Sequence, residues 1–268
     1  MKTACITGAS SGIGRELAKK LSMMGYNLIL ISRNTKALDA LSGKLPTKCE
    51  IISCDLSHED KCKELAETLS KRNIYIFINN AGFGSLGRFD ETDANNDLSM
   101  INVNIKAVHI LTKAMITAFK KRDCGYIMNV ASSAGLMPAG PYMSTYYATK
   151  SYVTSLTTAI HHELKESGSN VHICMLCPGP VDTNFNNVAG VTFSLPGISS
   201  SYCAEYALKK MFQGKLTIVP TLTMKLAVIA AKIFPREFMT SMAGKQQTKK
   251  GKGLRPHKNF KKFNAKIL

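Results

Sequence analysis

From residue 4 onward, short apolar runs alternate with longer stretches whose apolar residues recur at helical spacing, and this alternation restricts the fold more than any other feature of the 268-residue sequence. Strand-like runs fall at 4–7, 27–32, 50–53, 75–79, 126–130, 171–177 and 217–219, and helical spacing predicts helices at 12–24, 35–42, 58–71, 97–121, 146–167 and 204–212. Strands joined by crossing helices run parallel, and strands this apolar need cover on both faces. The expected fold is α/β, a doubly wound parallel sheet with helices on both faces, in one domain. In such sheets ligands bind beyond the carboxyl ends of the strands, so the residues directly after each strand carry most of the functional information.

The first of those places reads Thr7-Gly8-Ala9-Ser10-Ser11-Gly12-Ile13-Gly14 and opens the first helix. Glycines there allow a tight turn and a close approach of backbone to a pyrophosphate, whose charge is met by the free amides and dipole of the helix start. Gly8, Ser10, Ser11, Gly12, Ile13 and Gly14 are therefore candidate dinucleotide ligands, which makes the expected sheet a Rossmann-type one. The second strand ends in Leu30-Ile31-Ser32-Arg33, with no acid where an NAD-specific protein would offer one to the ribose hydroxyls. Ser32 and Arg33 instead offer a hydroxyl and a guanidinium to a 2′-phosphate, so NADP(H) is the expected cofactor.

Tyr146 and Lys150 lie four apart at the start of a predicted helix and so share a face. A free tyrosine, with a pKa near ~10, exchanges protons poorly at neutral pH, and a neighbouring ammonium lowers that value. The pair is a credible acid/base unit, although the same spacing is common on solvated helices.

Taken together these motifs resemble the short-chain dehydrogenase/reductase family over nearly everything from Thr3 to Val219. Thr7 to Gly14 are similar to its TGxxxGxG, Asn79-Asn80-Ala81-Gly82 to its NNAG, Tyr146 to Lys150 to its YxxxK, and Pro178-Gly179 to its PG after the sixth strand. The resemblance implies that Tyr146 passes a proton to or from the substrate oxygen and that Lys150 depresses its pKa and binds the nicotinamide ribose. A serine, Ser132 or Ser133, would hydrogen-bond the same oxygen. Spacing to the tyrosine favours Ser133, whereas position relative to Gly135 and Asn104 favours Ser132, the preferred candidate. Asn104 would hold a water linking Lys150 to solvent. Asp55 and Leu56 would contact adenine, Asn80, Ala81 and Gly82 would line the cofactor groove with Pro178 and Gly179, and Val181 and Thr183 would fix the carboxamide.

Hydrophobic content of 45% and charged content of 20% fit an ordinary soluble protein. No secretory leader is expected at the start, and a cytoplasmic location follows. Eight cysteines scattered along such a chain read as free, mostly buried thiols. Cys174 and Cys177 have metal-site spacing, but residues three apart on a strand point to opposite faces, and no metal is expected.

Nine Lys and Arg follow Glu237, the last acid, and account for about half of the net charge of +17. The expected division is a catalytic domain over 1–244 and a basic, disordered tail over 245–268. That tail suggests weak membrane-surface contact and no specific nucleic acid. The Gly-, Ser- and Asn-rich stretch at 184–201 reads as a mobile substrate lid, and 222–234 as an apolar helix, too short to span a bilayer, near the pocket mouth.

The fold does not fix the substrate. Apolar, Met-rich C-terminal stretches suggest a hydrophobic and possibly anionic alcohol or ketone. The strand end at Ser32-Arg33 and the segment after Ile218 resemble a branch that includes hydroxysteroid dehydrogenases and long-chain 3-oxoacyl reductases. A bile-acid-like hydroxysteroid is the leading substrate and a 3-oxoacyl thioester the alternative. A noncatalytic NADPH-binding regulator with a membrane- or RNA-binding tail is the reading from another class. Homo-oligomers are usual for the family.

Overall fold

The computed structural model describes residues 1–183, 185, 189 and 197–248. Its sheet is built from β1 (Thr3–Thr7), β2 (Asn27–Ser32), β3 (Cys49–Ser53), β4 (Ile74–Asn79), β5 (Gly125–Val130), β6 (Val171–Leu176) and β9 (Thr217–Ile218). All neighbours are parallel, in the order β3-β2-β1-β4-β5-β6-β9. The strand order reverses between β1 and β4, which opens the crevice where doubly wound sheets bind ligands.

Alternation along the strands divides the interior in two. Ala4, Ile6, Leu28 and Leu30 enter one core with α1 (Gly12–Met23), α2 (Thr35–Ser42) and α7 (Ser200–Phe212). Cys5, Ile29, Ile31 and Phe77 enter the other with α3 (Glu59–Ser70) and α5 (Val108–Lys120). Cys174 and Cys177 fall into separate clusters, as opposite strand faces demand. All eight cysteines are free; Cys124 is exposed and Cys49 half-buried.

One buried polar chain fixes the long helix α6 (Ser144–Glu166) to the sheet. Asn79 Nδ2 donates to Asn129 Oδ1 at 3.0 Å and to Thr112 Oγ1 at 3.0 Å, and Asn129 Nδ2 donates to Thr157 Oγ1 at 2.9 Å. Four elements, β4, α5, β5 and α6, are thereby held in one register. Asn129→Ala would orphan partners on three of them, and we expect a loss of about 2–4 kcal/mol. Urea denaturation measures it; a loss below about 1 kcal/mol would show the chain to be dispensable.

The observed elements depart from the sequence expectations in four places. The helix expected at 97–121 begins earlier, as α4 (Ala94–Ile101), because the Asp93 side chain caps it by accepting from Asn95 N. It is then interrupted by a π-helical turn, Asn102–Ala107, before α5 begins. The segment expected to be a lid at 184–201 contributes a short strand, β8 (Ile198–Ser199), paired with β7 (Val181–Asp182), and α7 starts at Ser200 with Ser199 as its cap. Residues 184, 186–188 and 190–196 of that segment lie outside the described residues. Finally, α8 (Leu222–Ile233) is followed by a helix that apolar spacing alone did not reveal, α9 (Arg236–Thr248). It runs past the boundary expected at 244; the rest of the basic segment, 249–268, is outside the described residues. No helix among the described residues is long and apolar enough to cross a membrane.

Candidate active site

The loop after β1 has the shape a phosphate needs. Gly8 and Gly12 have φ of +65° and +52°, a region that favours glycine. A methyl group at Gly8 would lie 2.9 Å from Ala81 Cα and Asn80 Nδ2, so the loop after β4 is pressed directly against it. Asn80 Nδ2 donates to the carbonyls of Thr7 and Gly8 at 3.0 and 3.1 Å, while Thr7 Oγ1 accepts from the amides of Asn80 and Ala81. Asn80 and Ala81 thus lock the turn as well as border the groove. At the start of α1 the Ser11 side chain makes no capping bond and the first turn holds no acid. The helix amides are left to a ligand, and no carboxylate repels an anion there. Ile13 packs on the core behind the turn, and Thr183 stands across from it, 3.1 Å from a methyl placed on Gly12.

Beyond β2, Ser32 Oγ and Ser10 Oγ are 2.9 Å apart. Arg33 is mostly exposed and, among the described residues, pairs with Asp55 at 3.8 Å. This corner offers two hydroxyls and a guanidinium free to turn toward a phosphate. Asp55 accepts from Ser57 N and Oγ. Leu56 sends its side chain into the α3–α5 core.

The second half of the site lies beyond β4, β5 and β6. Tyr146 and Lys150 occupy the first two turns of α6 and are both buried. Lys150 Nζ donates to the Val130 carbonyl at 2.9 Å and lies 5.9 Å from the centre of the Tyr146 ring. Ser132 is the serine that reaches Tyr146 as a hydrogen-bond partner. Its hydroxyl also accepts from Ala134 N at 3.1 Å, and the backbone amide of Ser133 donates to Pro178 O at 2.9 Å. The two counting rules for the serine are separated by this short 3-10 turn, Ser133–Leu136, for which Ser132 serves as the cap.

Asn104 is wholly buried in the π-helical turn. Both hydrogens of its amide are committed, to Phe83 O at 2.9 Å and Thr149 Oγ1 at 3.1 Å, and its oxygen accepts from Phe83 N at 3.1 Å. Thr149 in turn donates to the Tyr146 carbonyl at 2.8 Å. Asn104 therefore positions the loop after β4 and the first turn of α6 together. Gly82 passes between them: a methyl on it would sit 2.9 Å from Asn104 Oδ1 and 3.2 Å from Lys150 Nζ.

Burial dominates the electrostatics of the pair. Burial pushes the Tyr146 phenol up to about 12, opposed by the hydrogen bond from Ser132, and burial brings Lys150 down to about 8. Loss of water around a phenolate is the dominant cause of the upward shift of Tyr146. At neutral pH the phenol therefore keeps its proton, and the lysine, though eased toward its neutral form, is still mostly the ammonium. The pair suits proton donation to a ketone oxygen.

Around Tyr146 the walls are apolar. Met100, Ala134, Met143 and Ala189 cluster with its ring, with Phe83, Leu86, Tyr147 and Phe185 packed against them. The Phe185 ring centre is 5.5 Å from that of Tyr146, and a methyl on Gly84 would meet both rings, at 2.9 and 3.1 Å. Behind the site, Met224 of α8 covers Gly179, and α9 anchors the loop that leads into α6. Gln247 Nε2 donates to Tyr147 Oη at 2.9 Å, and Arg236 Nη2 donates to Pro138 O at 3.3 Å. Val181 is buried in the first core and pairs with Ile198. Phe83, Phe185 and Gln247 were not expected from sequence; they come from separate segments and share no motif.

A glycine cradle at a helix start, with a buried serine, tyrosine and lysine beyond the adjoining strands, defines an oxidoreductase of the dinucleotide-binding α/β class. A family model described as short chain dehydrogenase matches residues 2–191, and the chain belongs to that family. It is 32% identical over 184 residues to an uncharacterized oxidoreductase of Staphylococcus epidermidis, a match covering 68% of this chain and 79% of the relative. It is 34% identical over 179 residues to the very-long-chain 3-oxoacyl-CoA reductase of Neurospora crassa, covering 63% of this chain and 54% of that one. Among solved structures, a short-chain dehydrogenase from Sphingobium yanoikuyae in complex with NADPH superposes with a TM-score of 0.79 at 28% identity, covering 87% of this chain and 93% of its own. The bulky-bulky ketone specific alcohol dehydrogenase of Comamonas testosteroni gives 0.74 at 26% identity, covering 87% and 92%.

Proposed function

We propose that the chain is an NADP(H)-dependent reductase of a hydrophobic ketone, working reversibly on the corresponding secondary alcohol. The observation that carries this is the buried Ser132–Tyr146–Lys150 group set in an apolar wall. When bound, the nicotinamide supplies or accepts the hydride. Ser132 and Tyr146 hold the carbonyl oxygen, and Tyr146, protonated at neutral pH, delivers its proton as charge builds there. Lys150 then stands by to reprotonate the phenolate. Asn104 Oδ1, which already accepts from Phe83 N, keeps one lone pair for a water leading outward, its amide hydrogens being spent on protein.

Support for NADP(H) comes from the Ser10, Ser32 and Arg33 corner and from the NADPH complex of the Sphingobium relative. Arg33→Ala is expected to raise the KM for NADPH roughly ten- to a hundredfold and leave that for NADH nearly unchanged; an equal rise for both would remove the 2′-phosphate role. Asp55 and the backbone at Leu56 border the adenine, and Val181 and Thr183 the carboxamide.

Of the two substrates weighed from sequence, the 3-oxoacyl thioester gains more from the relatives. The Neurospora reductase is 34% identical, whereas the hydroxysteroid dehydrogenase among the solved structures is 19% identical, enough for fold alone. The positive charge of the chain suits a nucleotide-bearing thioester as well. NADPH oxidation followed with acyl thioesters, steroids and bile acids discriminates: turnover confined to the steroids would restore the hydroxysteroid. We also expect the enzyme to be cytoplasmic and to form homo-oligomers. The noncatalytic reading would require that no ketone be turned over by a chain that retains Ser132, Tyr146 and Lys150 together in one buried group.

A further inference from the structure

Helix α8 has apolar residues on both sides. Val228 faces the protein, and Met224 packs on Gly179. Its outward side carries Leu222, Leu226, Ile229 and Ile233, 70%, 58%, 53% and 73% exposed. At 3.6 residues per turn these four fall within an arc of roughly 60° and form a stripe about 16 Å long. Phe234, also exposed, extends it, and its ring lies 5.7 Å from that of Phe238. A helix apolar all round is normally covered. This one faces water along a continuous line, and large contiguous patches of that kind mark interaction surfaces.

The charge beside the stripe selects what covers it. Lys225, Lys232, Arg236 and Lys245 stand on α8 and α9, against a single acid, Glu237. None of these cations is in an ion pair among the described residues. The sequence continues over 249–268 with eight further Lys and Arg and no Asp or Glu. A second copy of the chain docking here through a two-fold contact would bring this positive charge against itself. An anionic bilayer accepts both features at once: the leucines and isoleucines enter the boundary between headgroups and acyl chains, and the cations meet lipid phosphates.

We propose that α8 is an interfacial helix that seats the enzyme on an anionic lipid surface, with the basic C-terminal segment as a second, electrostatic hold. The site and the stripe are joined through Met224, which covers Gly179, so seating would place the pocket beside the bilayer, where long-chain substrates partition. The proposal stands on the exposed stripe and its charge and does not depend on which ketone is reduced.

The chain contains no tryptophan, so Ile229→Trp creates a single fluorescent reporter on the stripe. With vesicles of phosphatidylcholine containing about 30 mol % phosphatidylglycerol, its emission should shift to the blue and be quenched by brominated acyl chains. Vesicle binding without shift or quenching would place the contact elsewhere and overturn the proposal. In a sedimentation assay of the full chain, Leu226→Glu with Ile229→Glu should weaken binding by roughly tenfold or more while turnover of a short soluble ketone is unchanged. Undiminished binding of that variant, equal binding to pure phosphatidylcholine, or loss of a dimer in place of vesicle binding would each overturn it. Unchanged thermal melting of the variant confirms folding, and the milder pair Leu222→Ser and Ile233→Ser repeats the measurement. A chain ending at Thr248 keeps α9 whole and should bind more weakly than the full chain yet retain the Ile229→Trp shift; loss of that shift would make the segment 249–268 the sole contact and overturn the role of α8.

Discussion

Tyr146→Phe will lower kcat for ketone reduction about a thousandfold while the Kd for NADPH stays within a few fold of the unaltered protein. The Tyr146 phenol can both bond the carbonyl and give up a proton, whereas the cluster's other phenol, Tyr147, is bonded to Gln247. Phenylalanine keeps the ring that packs against Phe185 and Tyr147, so the fold and the cofactor groove are unaffected. Ser132→Ala should follow with a loss of about ten- to a hundredfold, and Ser133→Ala should remain near the starting rate. Single-turnover kinetics beside NADPH fluorescence titration measure both quantities. A Tyr146→Phe variant that turns over normally, or a Ser133→Ala loss exceeding that of Ser132→Ala, would dismantle the assignment.

Lys150→Met will abolish most turnover and raise the stability of the protein at pH 7. Burial lowers the Lys150 pKa from 10.5 to about 8, so at neutral pH the fold carries a buried ammonium at a cost of about 3 kcal/mol. Methionine removes that burden and forfeits the bond to Val130 O, worth about 1 kcal/mol, for a net gain of about 2 kcal/mol. The sign with pH follows from proton binding. Between pH 8 and 10.5 the unfolded chain holds this proton and the folded chain does not, so the unaltered protein gains stability as pH rises through that window. The melting temperature of Lys150→Met should thus exceed that of the parent by several degrees at pH 7, and the gap should close toward pH 10.5. Reduction by the parent enzyme should fall above pH 8, as the lysine loses the proton it would return to the phenolate. A less stable methionine variant at pH 7 would refute the burial account.

The sequence carried the alternation of strands and helices, the phosphate turn and the tyrosine–lysine pair because each is local, set by spacing within one element. Counting along the chain prefers Ser132 without separating it from Ser133, because the two lie at the start of a 3-10 turn whose cap, Ser132, no count reveals. Asn104 was found by motif, yet its bonds to Phe83 and Thr149 span separate segments and have no signature along the chain. Local pattern failed most at the C-terminus. A basic run there suggested solvation, whereas Gln247, 1% exposed, holds α9 onto Tyr147 by a contact between residues 100 positions apart. The spacing of Tyr146 and Lys150 shows that they share a helix face, but only the folded chain shows how completely water is excluded around them.

The clamp of Asn80 on Thr7 and Gly8 has a consequence for the order in which the molecule becomes competent. The residues that clamp the phosphate turn, Thr7, Gly8, Asn80 and Ala81, are encoded in the first third of the chain. The proton-transfer group and the helix that braces it arrive afterwards, with Gln247 last. The residues that clamp the phosphate turn are therefore synthesised before those of the proton-transfer group, while α1 waits for α7 to complete the core it packs in.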